Sequence, residues 1–489
     1  MRVGQWKYGA AMRQLRRSGA AGYSAAGAFQ RGREASVQSL PGRFRARLAC
    51  LAVTTVLAGP LAVAAPFAAA EQTAQRAPIL KTTDQQAVDQ VALALFDTPE
   101  VKAARAAGVA RWSALPAAQT PDGKRLLSSV VDELAFGAVR GAAARDPAHP
   151  KVIWSGGAPY SYGTTKVPAT RGSAGGADRI YRSIAVSPNY RYVVSGRRNA
   201  KPSNTEFSFE AIAPGQSPIE GPTSWLNSHD IDIAADGTFS FTADAEPAAG
   251  RRNHLTLPPG TTSISVRDTL SDWSNQFPNS LTVKRTDNAP DVVRSQAELL
   301  QAAVAAVNKV VEQNYWFVER FSQGERNNLK GQLRNYGGAS LFAGGAQGPI
   351  HLEPGEALVL TADTGDARYF GLQVTDPLYR AVDFWDKAGS LTNAQTRPNA
   401  DGTVTFIIAA SDPGYYNWLD IDGLQDGIAL LRIEDYSKQP DASKMIRASK
   451  VVKISQLASV LPQDTARVTP AERAAQLAER RAGYLNRLK

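Results

Sequence analysis

Cysteine and histidine are scarce in this chain of 489 residues, which contains one cysteine and four histidines. Cys50 lies in a segment that is predicted below to be removed, so the mature chain is expected to contain no cysteine. That absence excludes disulfides, thiol catalysis and cysteine-ligated zinc. The histidines do not pair at the spacing of metal ligands, and we therefore expect no metal site and no bound cofactor.

Strong motifs for catalysis are missing as well. The sequence contains no Gly-x-Ser-x-Gly elbow, no His-Glu-x-x-His motif, no phosphate-binding loop and no dinucleotide fingerprint. The sequence therefore does not state an enzymatic activity.

The positive charge of the chain is concentrated at its start. Residues 1–70 hold ten basic side chains and one acidic side chain, a net charge of +9, whereas the whole chain has a net charge of +10. The difference of +1 belongs to residues 71–489, which are close to neutral. Their charge gives no reason to expect a nucleic acid as partner.

Residues 1–70 have the pattern of a signal peptide. A basic region leads into the apolar stretch Leu48–Ala70, which ends in three alanines before Glu71. Cleavage there predicts an exported protein, extracellular or in the cell envelope. The alternative is an uncleaved membrane anchor, although Pro60 and Pro66 interrupt the stretch. The basic region is unusually long, so a start downstream of Met1 is an open alternative.

The rest of the chain predicts a mainly β protein. Apolar residues spaced by three and four indicate helices near the start, capping boxes at Ser295 and Thr469 begin two more, and alternating runs indicate strands. The predicted parts are a helical N-terminal segment at 71–150, a first β domain at 151–290, a helical connector at 291–348, a second β domain at 349–440, and a C-terminal segment with an amphipathic helix at 441–489.

Two stretches of the β regions resemble each other. Asp236-Gly237 and Asp401-Gly402 both lie in an Ala-Asp-Gly-Thr turn that leads into an alternating strand. An Asn-aromatic-Leu triplet follows each turn, at Asn253-His254-Leu255 and at Asn417-Trp418-Leu419. We expect two related antiparallel domains of β-sandwich or jelly-roll type. The alternative is a chance match of a common hairpin signal.

Carboxylates and aromatic side chains are concentrated in the second β region. Aromatic faces stack on sugar or apolar rings, and an arginine beside carboxylates orients a polar ligand through charge-assisted hydrogen bonds. The alternative is structural, because Asp-Pro-Gly and Asp-Gly form turns and a tryptophan fills a core. The candidate ligand-binding residues are Tyr379, Arg380, Asp383, Trp385, Asp412, Asn417, Trp418 and Asp420.

Most of residues 170–485 resembles a bacterial family known as domain of unknown function 1214, which often accompanies domain 1254. The segments that carry the resemblance include "GGADRIYRSIAVSPNYRYVVSGRR", "DPGYYNWLDIDG" and "RVTPAERAAQLAERR". The resemblance implies a mostly β architecture and supplies no activity. Carried over to this chain, its most specific segment points to Asp412, Gly414, Asn417, Trp418, Leu419, Asp420 and Gly423. After Gly423 this chain departs from the family pattern.

Two functions from different classes stay open. The first is an exported protein that binds a glycan, a lipid or a small molecule at the second β domain. The second is a carboxylate-dependent hydrolase or lyase that acts on a glycan or a similar polar substrate, with a pair of carboxylates as acid and base.

Overall fold

A computed structural model describes residues 78–199, 202–213, 224–334 and 342–488. Residues 73–489 form one compact unit. The predicted signal peptide at 1–70 lies outside the described residues. The helices are α1 (Thr83–Phe96), α2 (Pro99–Trp112), α3 (Pro116–Gln119), α4 (Pro121–Ala143), α5 (Gln296–Phe321), α6 (Ala442–Met445), α7 (Leu457–Val460) and α8 (Pro470–Asn486).

The protein is mainly β, and its sheets are mostly antiparallel. The strands are β1 (Val152–Trp154), β2 (Tyr160–Tyr162), β3 (Thr165–Val167), β4 (Arg179–Ala185), β5 (Tyr192–Arg197), β6 (Glu206–Ile212), β7 (Trp225–Asn227), β8 (Thr238–Asp244), β9 (His254–Thr256), β10 (Ser263–Thr269), β11 (Ser280–Arg285), β12 (Gly331–Arg334), β13 (Ala343–His351), β14 (Glu356–Ala362), β15 (Tyr369–Thr375), β16 (Ser390–Thr392), β17 (Val404–Ala409), β18 (Trp418–Asp420), β19 (Asp426–Glu434) and β20 (Ile446–Lys453).

The long helices form one layer beside the strands. Helices α2 and α4 pack against α5, and the indole of Trp112 donates a 3.1 Å hydrogen bond to the carbonyl of Val311 on α5. The two capping boxes begin α5 and α8, as their sequence pattern predicts. Across the part of the chain that the structure describes, no helix has the length and apolar character needed to cross a membrane.

Apart from β2 and β3, which pair with each other, the strands fall into two sets with the same order. The first set forms a five-stranded sheet β1-β4-β10-β6-β7 and a four-stranded sheet β11-β5-β8-β9. The second set forms β12-β13-β19-β15-β16 and β18-β17-β14-β20. When the strands of each set are numbered along the chain, the two orders are identical. The pairs β8 with β9 and β17 with β18 are both parallel, among otherwise antiparallel neighbours.

The repeated motifs lie at equivalent places in the two sets. Asp236-Gly237 comes before β8, and Asp401-Gly402 comes before β17. In both turns the aspartate side chain accepts hydrogen bonds from the threonine two residues later. His254 in β9 and Trp418 in β18 are also equivalent. The similarity between the two stretches therefore reflects a shared strand order rather than a chance hairpin signal.

Each set has its own apolar core, to which both of its sheets contribute. Phe209 of β6 and Phe241 of β8 lie in the first core with ring centroids 4.6 Å apart. Leu372 of β15 and Phe406 of β17 lie in the second. These side chains alternate along their strands with residues on the other sheet face, because successive strand residues point to opposite faces.

The strands of the second set extend beyond the predicted range 349–440. They begin at Gly331 and end at Lys453. The outermost of these, β12 and β20, are edge strands that are only partly buried. An edge strand needs no regular apolar alternation, so its sequence gives a weak strand signal.

Candidate functional site

Arg380, the cation of the predicted ligand site, lies in a buried ion-pair network. Its Nε donates a 2.9 Å hydrogen bond to Asp376, and its Nη1 lies 2.9 Å from Glu133 on α4. Ser129 of the same helix accepts a further hydrogen bond of 3.0 Å. The guanidinium therefore fastens the loop after β15 to α4, and its donors are used within the protein.

Two of the predicted residues, Asp383 and Asp420, lie close enough to repel each other. Burial raises the pKa of both carboxyl groups, and repulsion adds to the rise, from Asp422 on Asp383 and from Asp422 and Asp383 on Asp420. Each also accepts backbone hydrogen bonds within its own turn, Asp383 from Trp385 at 3.0 Å and Asp420 from Asp422 at 2.7 Å. Lys387 forms an ion pair with Asp422 beside them. Asp383 and Asp420 therefore belong to two neighbouring turns, in which each accepts hydrogen bonds from its own backbone segment.

The segment from Asp412 to Trp418 is a braced corner. Asp412 pairs with Arg473 of α8 at 2.9 Å, and the Asn417 side chain donates to two backbone carbonyls, those of Arg397 and Thr405. The indole of Trp418, 7 % exposed, donates to the carbonyl of Ala409 at 3.0 Å. These contacts support the structural interpretation of this segment.

Tyr379 and Trp385 pack against helices. The ring of Tyr379 lies 5.0 Å from that of Phe321 on α5, and its backbone φ of +65° places it in the left-handed region. The ring of Trp385 lies 6.4 Å from that of Tyr484 on α8. The eight predicted residues are thus distributed over several contacts and do not form one cleft.

A different group of polar residues lies between the two five-stranded sheets. On the first sheet, residues at alternate positions of β4, β10 and β6 point away from the core of that set. The strand register aligns Arg179, Thr269 and Glu206 in one row, and Tyr181, Arg267 and Ser208 in the next. A third row contains Ser183, Ser265 and Glu210.

The second five-stranded sheet faces this surface with a similar pattern. Its rows are Ala343, Glu434 and Tyr369, then Gly345, Arg432 and Gly371, then Gln347, Leu430 and Gln373. Arg432 therefore lies between two glycines in its row, and the Tyr369 hydroxyl and the Asp178 carboxylate occupy the space over one of them, Gly371. We call the residues of these facing rows, together with Asp178, the inter-sheet cluster.

Contacts across the gap hold the two sheets together. Arg179 of the first sheet forms an ion pair with Glu434 of the second, and both are almost fully buried. Tyr369 donates a 2.7 Å hydrogen bond from its hydroxyl to Asp178, directly over Gly371. A Cβ at Gly371 would lie 2.3 Å from the Tyr369 hydroxyl, so only glycine leaves room for this bond.

Tyr181 is surrounded by positive charge. The guanidinium carbon of Arg267 lies 5.5 Å from the centre of its ring, and Arg179 lies two residues before it on the same face of β4. Burial alone raises the pKa of the phenol, but Arg267, Arg179 and Arg432 outweigh burial and lower that pKa to about 8. A phenol with this pKa is partly ionised near neutral pH.

Two glutamates of β6 lie on the same surface. Burial raises the pKa of Glu206 to about 7, although Arg179 and Arg267 act in the opposite direction. One oxygen of Glu206 accepts a 3.2 Å hydrogen bond from Thr269, while Oε2 has no hydrogen-bond partner among the described residues. Burial also raises the pKa of Glu210, whose carboxylate lies 3.4 Å from Arg267.

Arg432 and Gln373 lack partners. Within the described ranges, the Arg432 guanidinium forms no hydrogen bond and no ion pair. Gln373 is 1 % exposed, and neither its amide nitrogen nor its amide oxygen has a hydrogen-bond partner among the described residues. Buried polar groups are nearly always paired, so Gln373 marks a place where a ligand or water is accommodated, and Arg432, which is only partly buried, lies on the same face of the neighbouring strand.

A cleft with a volume of about 110 Å³ opens at one end of the first sheet's polar surface. Ser183, Ser263 and Arg145 are among its lining residues. Ser183 follows Tyr181 by two positions on the same face of β4, a separation of roughly 6.6 Å. The partly exposed Ser265 adjoins both Ser183 and Glu210 in its row. This serine-lined cleft therefore lies on the same sheet face as Tyr181 and Glu210.

A second groove, with a volume of about 50 Å³, lies beside α8. Trp273, Tyr416 and Arg480 line it, and Arg480 donates a 2.7 Å hydrogen bond to Ser390, the register partner of Gln373. Burial lowers the pKa of Arg480 to about 9. The groove therefore lies near Ser390, at the β16 end of the row that contains Gln373.

Sequence reasoning did not identify the inter-sheet cluster. Its polar residues alternate with apolar ones along strands such as "RIYRSIA" and "EFSFEAI", a pattern that also describes a strand with one face in water. The available signal was the presence of charged residues at alternate positions in several strands of both sets. That signal predicts that the strands share a polar sheet face. It does not predict which other surface packs against that face.

Comparisons with known proteins give the fold and no activity. No protein-family model matches the chain, and no curated protein matches it. A solved structure of an uncharacterised protein from Burkholderia cenocepacia is similar, with a TM-score of 0.59 and 22% identity, covering 76% of this chain and 99% of that one. A protein from Vibrio parahaemolyticus aligns with a TM-score of 0.35 and 9% identity over 57% of this chain and 89% of that one. The first similarity shows that the β-rich fold occurs in a second bacterial protein.

Proposed function

We propose that this protein binds an anionic ligand in the inter-sheet cluster, where Arg432 takes the carboxylate or phosphate of the ligand. The observation that carries the proposal is the unpartnered guanidinium of Arg432 beside the unpartnered amide of Gln373. A guanidinium presents two parallel N–H donors that match a carboxylate or phosphate, and an amide adds both a donor and an acceptor.

The charge balance of the inter-sheet cluster supports an anion. Arg179 is paired with Glu434, and Arg267 lies beside Glu210. Glu206, with a pKa near 7, supplies only a fraction of a negative charge at neutral pH. Arg432 acts electrostatically on Asp178, which also faces Arg480 and Arg487, but forms no ion pair among the described residues. An arriving anion compensates this charge, whereas a neutral ligand does not.

The chemistry of the surroundings favours a glycan or a small organic acid. The serine-lined cleft offers hydroxyl groups at Ser183 and Ser263, and the partly exposed Tyr181 offers an aromatic ring beside Arg267. Hydroxyl groups and aromatic rings contact sugars well. We propose a carboxylate-bearing sugar as the ligand class, met outside the cytoplasm by a protein exported through its N-terminal segment.

The same proposal includes a duplicated architecture. We propose that the two sheets of each set pack as a β-sandwich or jelly roll, and that the two sets are related domains that share the ligand between them. The identical strand orders and the mixed composition of each apolar core support this architecture. Membership of family 1214 stays a prediction from the sequence.

Titration calorimetry on the chain from Glu71 onward tests the binding proposal. The probes are trigalacturonate, citrate and inorganic phosphate, and the variant Arg432→Gln removes the charge while it keeps a polar side chain. We expect at least one probe to bind and Arg432→Gln to weaken that binding at least tenfold, which is about 1.4 kcal/mol. The control Arg447→Gln removes an exposed arginine that is paired with Asp363, and it should leave binding unchanged.

Two results would contradict the proposal. The first is that none of the three probes binds to the wild-type protein. The second is that a probe binds with equal affinity to the wild type and to Arg432→Gln, because the guanidinium then takes no part in recognition.

A further inference from the structure

The serine-lined cleft at one end of the first sheet is a second place where an anion fits. We propose that this cleft binds the sulfate ester group of a sugar, with Arg145 as the cation that takes the sulfate. The inference is independent of the proposed function, because neither Arg432 nor Gln373 lines the cleft. A sulfate ester carries one negative charge and three terminal oxygens, and the lining of the cleft matches both properties.

One face of α4 shapes the cleft. Gly137, Gly141 and Ala144 lie on that face together with Arg140 and Arg145, because residues three and four apart are neighbours on a helix. The three small residues leave room between the end of α4 and the sheet. A Cβ at Gly141 would meet no atom within 4 Å. The cleft therefore exists because α4 carries little side-chain volume where it passes the sheet.

The opposite wall of the cleft supplies hydrogen-bond donors. Ser183 of β4 and Ser263 of β10 lie on the same sheet face, and they are diagonal neighbours because Ser183 pairs with Ser265. Within the described ranges, neither hydroxyl has a hydrogen-bond partner. Trp154 of β1 also lines the cleft, and its buried indole N–H has no partner in the same part of the chain. A buried N–H is nearly always paired, so this donor and the two hydroxyls indicate an occupant with several acceptor oxygens.

Arg145 is the cation of the cleft that has no partner. Among the described residues, its guanidinium forms no hydrogen bond and no ion pair. Partial burial lowers its pKa, and the neighbouring Arg294 lowers that pKa further. Arg140, in contrast, is 2 % exposed and lies 3.7 Å from the carboxylate of Asp89. Because Arg140 and Asp89 compensate each other, the lining keeps one unpaired positive charge, that of Arg145.

The charge of the lining favours an anion with one negative charge. Within the part of the chain that the structure describes, no acidic residue lines the cleft. The carbonyl groups at the C-terminal end of α4 carry the negative end of the helix dipole, equivalent to about half an elementary charge. A second negative charge on the ligand is therefore repelled. A sulfate ester carries one charge at neutral pH, whereas a phosphate ester carries about 1.5 to 2.

The positions of the donors favour a tetrahedral group over a planar one. Arg145 follows the end of α4, Ser183 belongs to β4 and Ser263 to β10, so donors from three elements surround the cleft. The three terminal oxygens of a sulfate ester point in three directions, whereas the two oxygens of a carboxylate lie in one plane. A cleft of about 110 Å³ has space for one such group, since a single water needs about 10–15 Å³. Ser155 and Thr262 add hydroxyl groups that can contact the sugar.

Calorimetry with three sugars that differ only at carbon 6 tests the inference on the chain from Glu71 onward. The probes are glucose 6-sulfate, glucose 6-phosphate and glucuronate. We expect glucose 6-sulfate to bind about fivefold or more tightly than glucose 6-phosphate, because the helix end repels the second charge. Arg145→Gln should weaken the binding of glucose 6-sulfate about tenfold or more, since it removes a charged hydrogen-bond donor.

Gly141→Leu is a second variant, chosen to keep the fold while it fills the cleft. Its Cβ has no close neighbour and leucine favours a helix more than glycine does, so the melting temperature should not fall. The side chain occupies the space of the ligand and should weaken the binding of glucose 6-sulfate about tenfold or more. The control Arg125→Gln removes an exposed arginine near the start of α4 and should leave binding unchanged.

The outcomes separate this inference from the proposed function. Glucose 6-sulfate should bind equally to the wild type and to Arg432→Gln, whereas glucuronate binding should respond to Arg432→Gln and not to Arg145→Gln. If glucose 6-sulfate does not bind, or binds equally to the wild type, Arg145→Gln and Gly141→Leu, the sulfate site is wrong. If glucuronate or glucose 6-phosphate binds through Arg145 as tightly as the sulfate ester, the cleft does not select a sulfate. Binding of inorganic sulfate without binding of the ester would overturn the assignment to a sugar sulfate.

Discussion

The hydroxyl of Tyr369 lies 2.7 Å from the carboxylate of Asp178, and this hydrogen bond connects the two strand sets across the face of Gly371. A Cβ at Gly371 would lie 2.3 Å from the hydroxyl and 2.5 Å from the carboxylate oxygen. The connection therefore depends on a residue without a side chain.

Gly371→Ala should separate Tyr369 from Asp178 and destabilise the protein by about 1–3 kcal/mol, the usual cost of overpacking. Urea denaturation measures the free energy of unfolding. Gly348→Ala is the matched control, because its Cβ would meet only the side chain of Leu329 at 4.0 Å. If Gly371→Ala and Gly348→Ala were equally stable, the Tyr369–Asp178 hydrogen bond would not require a glycine at position 371.

The pH dependence of stability should report the buried carboxyl of Glu206. Its pKa in the folded protein, about 7, is above its ordinary value of 4.5, so folding favours the protonated form. The stabilisation that this proton gives is complete below pH 4.5 and is lost as the pH rises through 7. The loss amounts to roughly 3 kcal/mol.

Glu206→Gln has no such proton to lose. From about pH 4 to about pH 8, the wild type should therefore lose stability relative to Glu206→Gln, by an amount on the order of 3 kcal/mol in denaturant unfolding. Glu319→Gln, an exposed change on α5, should follow the wild type throughout. Parallel pH profiles of the wild type and Glu206→Gln would contradict a raised pKa for Glu206.

Arg380 should behave as a structural residue. Arg380→Ala leaves the buried carboxylates of Asp376 and Glu133 without their shared cation, and the expected loss of stability is about 3–5 kcal/mol. Arg447→Ala removes a half-exposed ion pair with Asp363 and should cost less than about 1 kcal/mol. A soluble Arg380→Ala protein with wild-type stability would contradict this structural role and favour a ligand-binding role for Arg380.

Trp418→Ala should destabilise the second strand set by about 3–5 kcal/mol, because the indole is 7 % exposed and its N–H is bonded to Ala409. Trp316→Ala is the control, since that indole on α5 is 41 % exposed. The free energy of unfolding should separate the two variants clearly. A change of less than 1 kcal/mol in Trp418→Ala would mean that the corner does not depend on its tryptophan.

Much of the strand arrangement could be predicted from local patterns. An Asp-Gly pair is a local turn signal, so the turns at Asp236 and Asp401 could be predicted from the sequence alone. In the structure they lie at equivalent positions before β8 and β17. The mainly β class followed from alternating runs of the same kind. Edge strands such as β12 were missed, because their burial and pairing come from neighbours that are distant in the sequence.

The candidate site could not be predicted in the same way. Asp412, Asn417 and Asp420 resembled ligand-binding residues because they are dense along the chain, yet their side chains hold turns and a helix in place. Tyr181, Arg267 and Arg432 are far apart in the sequence. They come together only through strand pairing and through the contact between two sheets, neither of which a single-strand pattern encodes.

A crystal structure of the chain from Glu71 onward with trigalacturonate tests the central claim most directly. We predict a carboxylate of the ligand within hydrogen-bond distance of both the Arg432 guanidinium and the Gln373 amide. A ligand located instead in the groove of Trp273 and Arg480 beside α8, with Arg432 and Gln373 untouched, would contradict it.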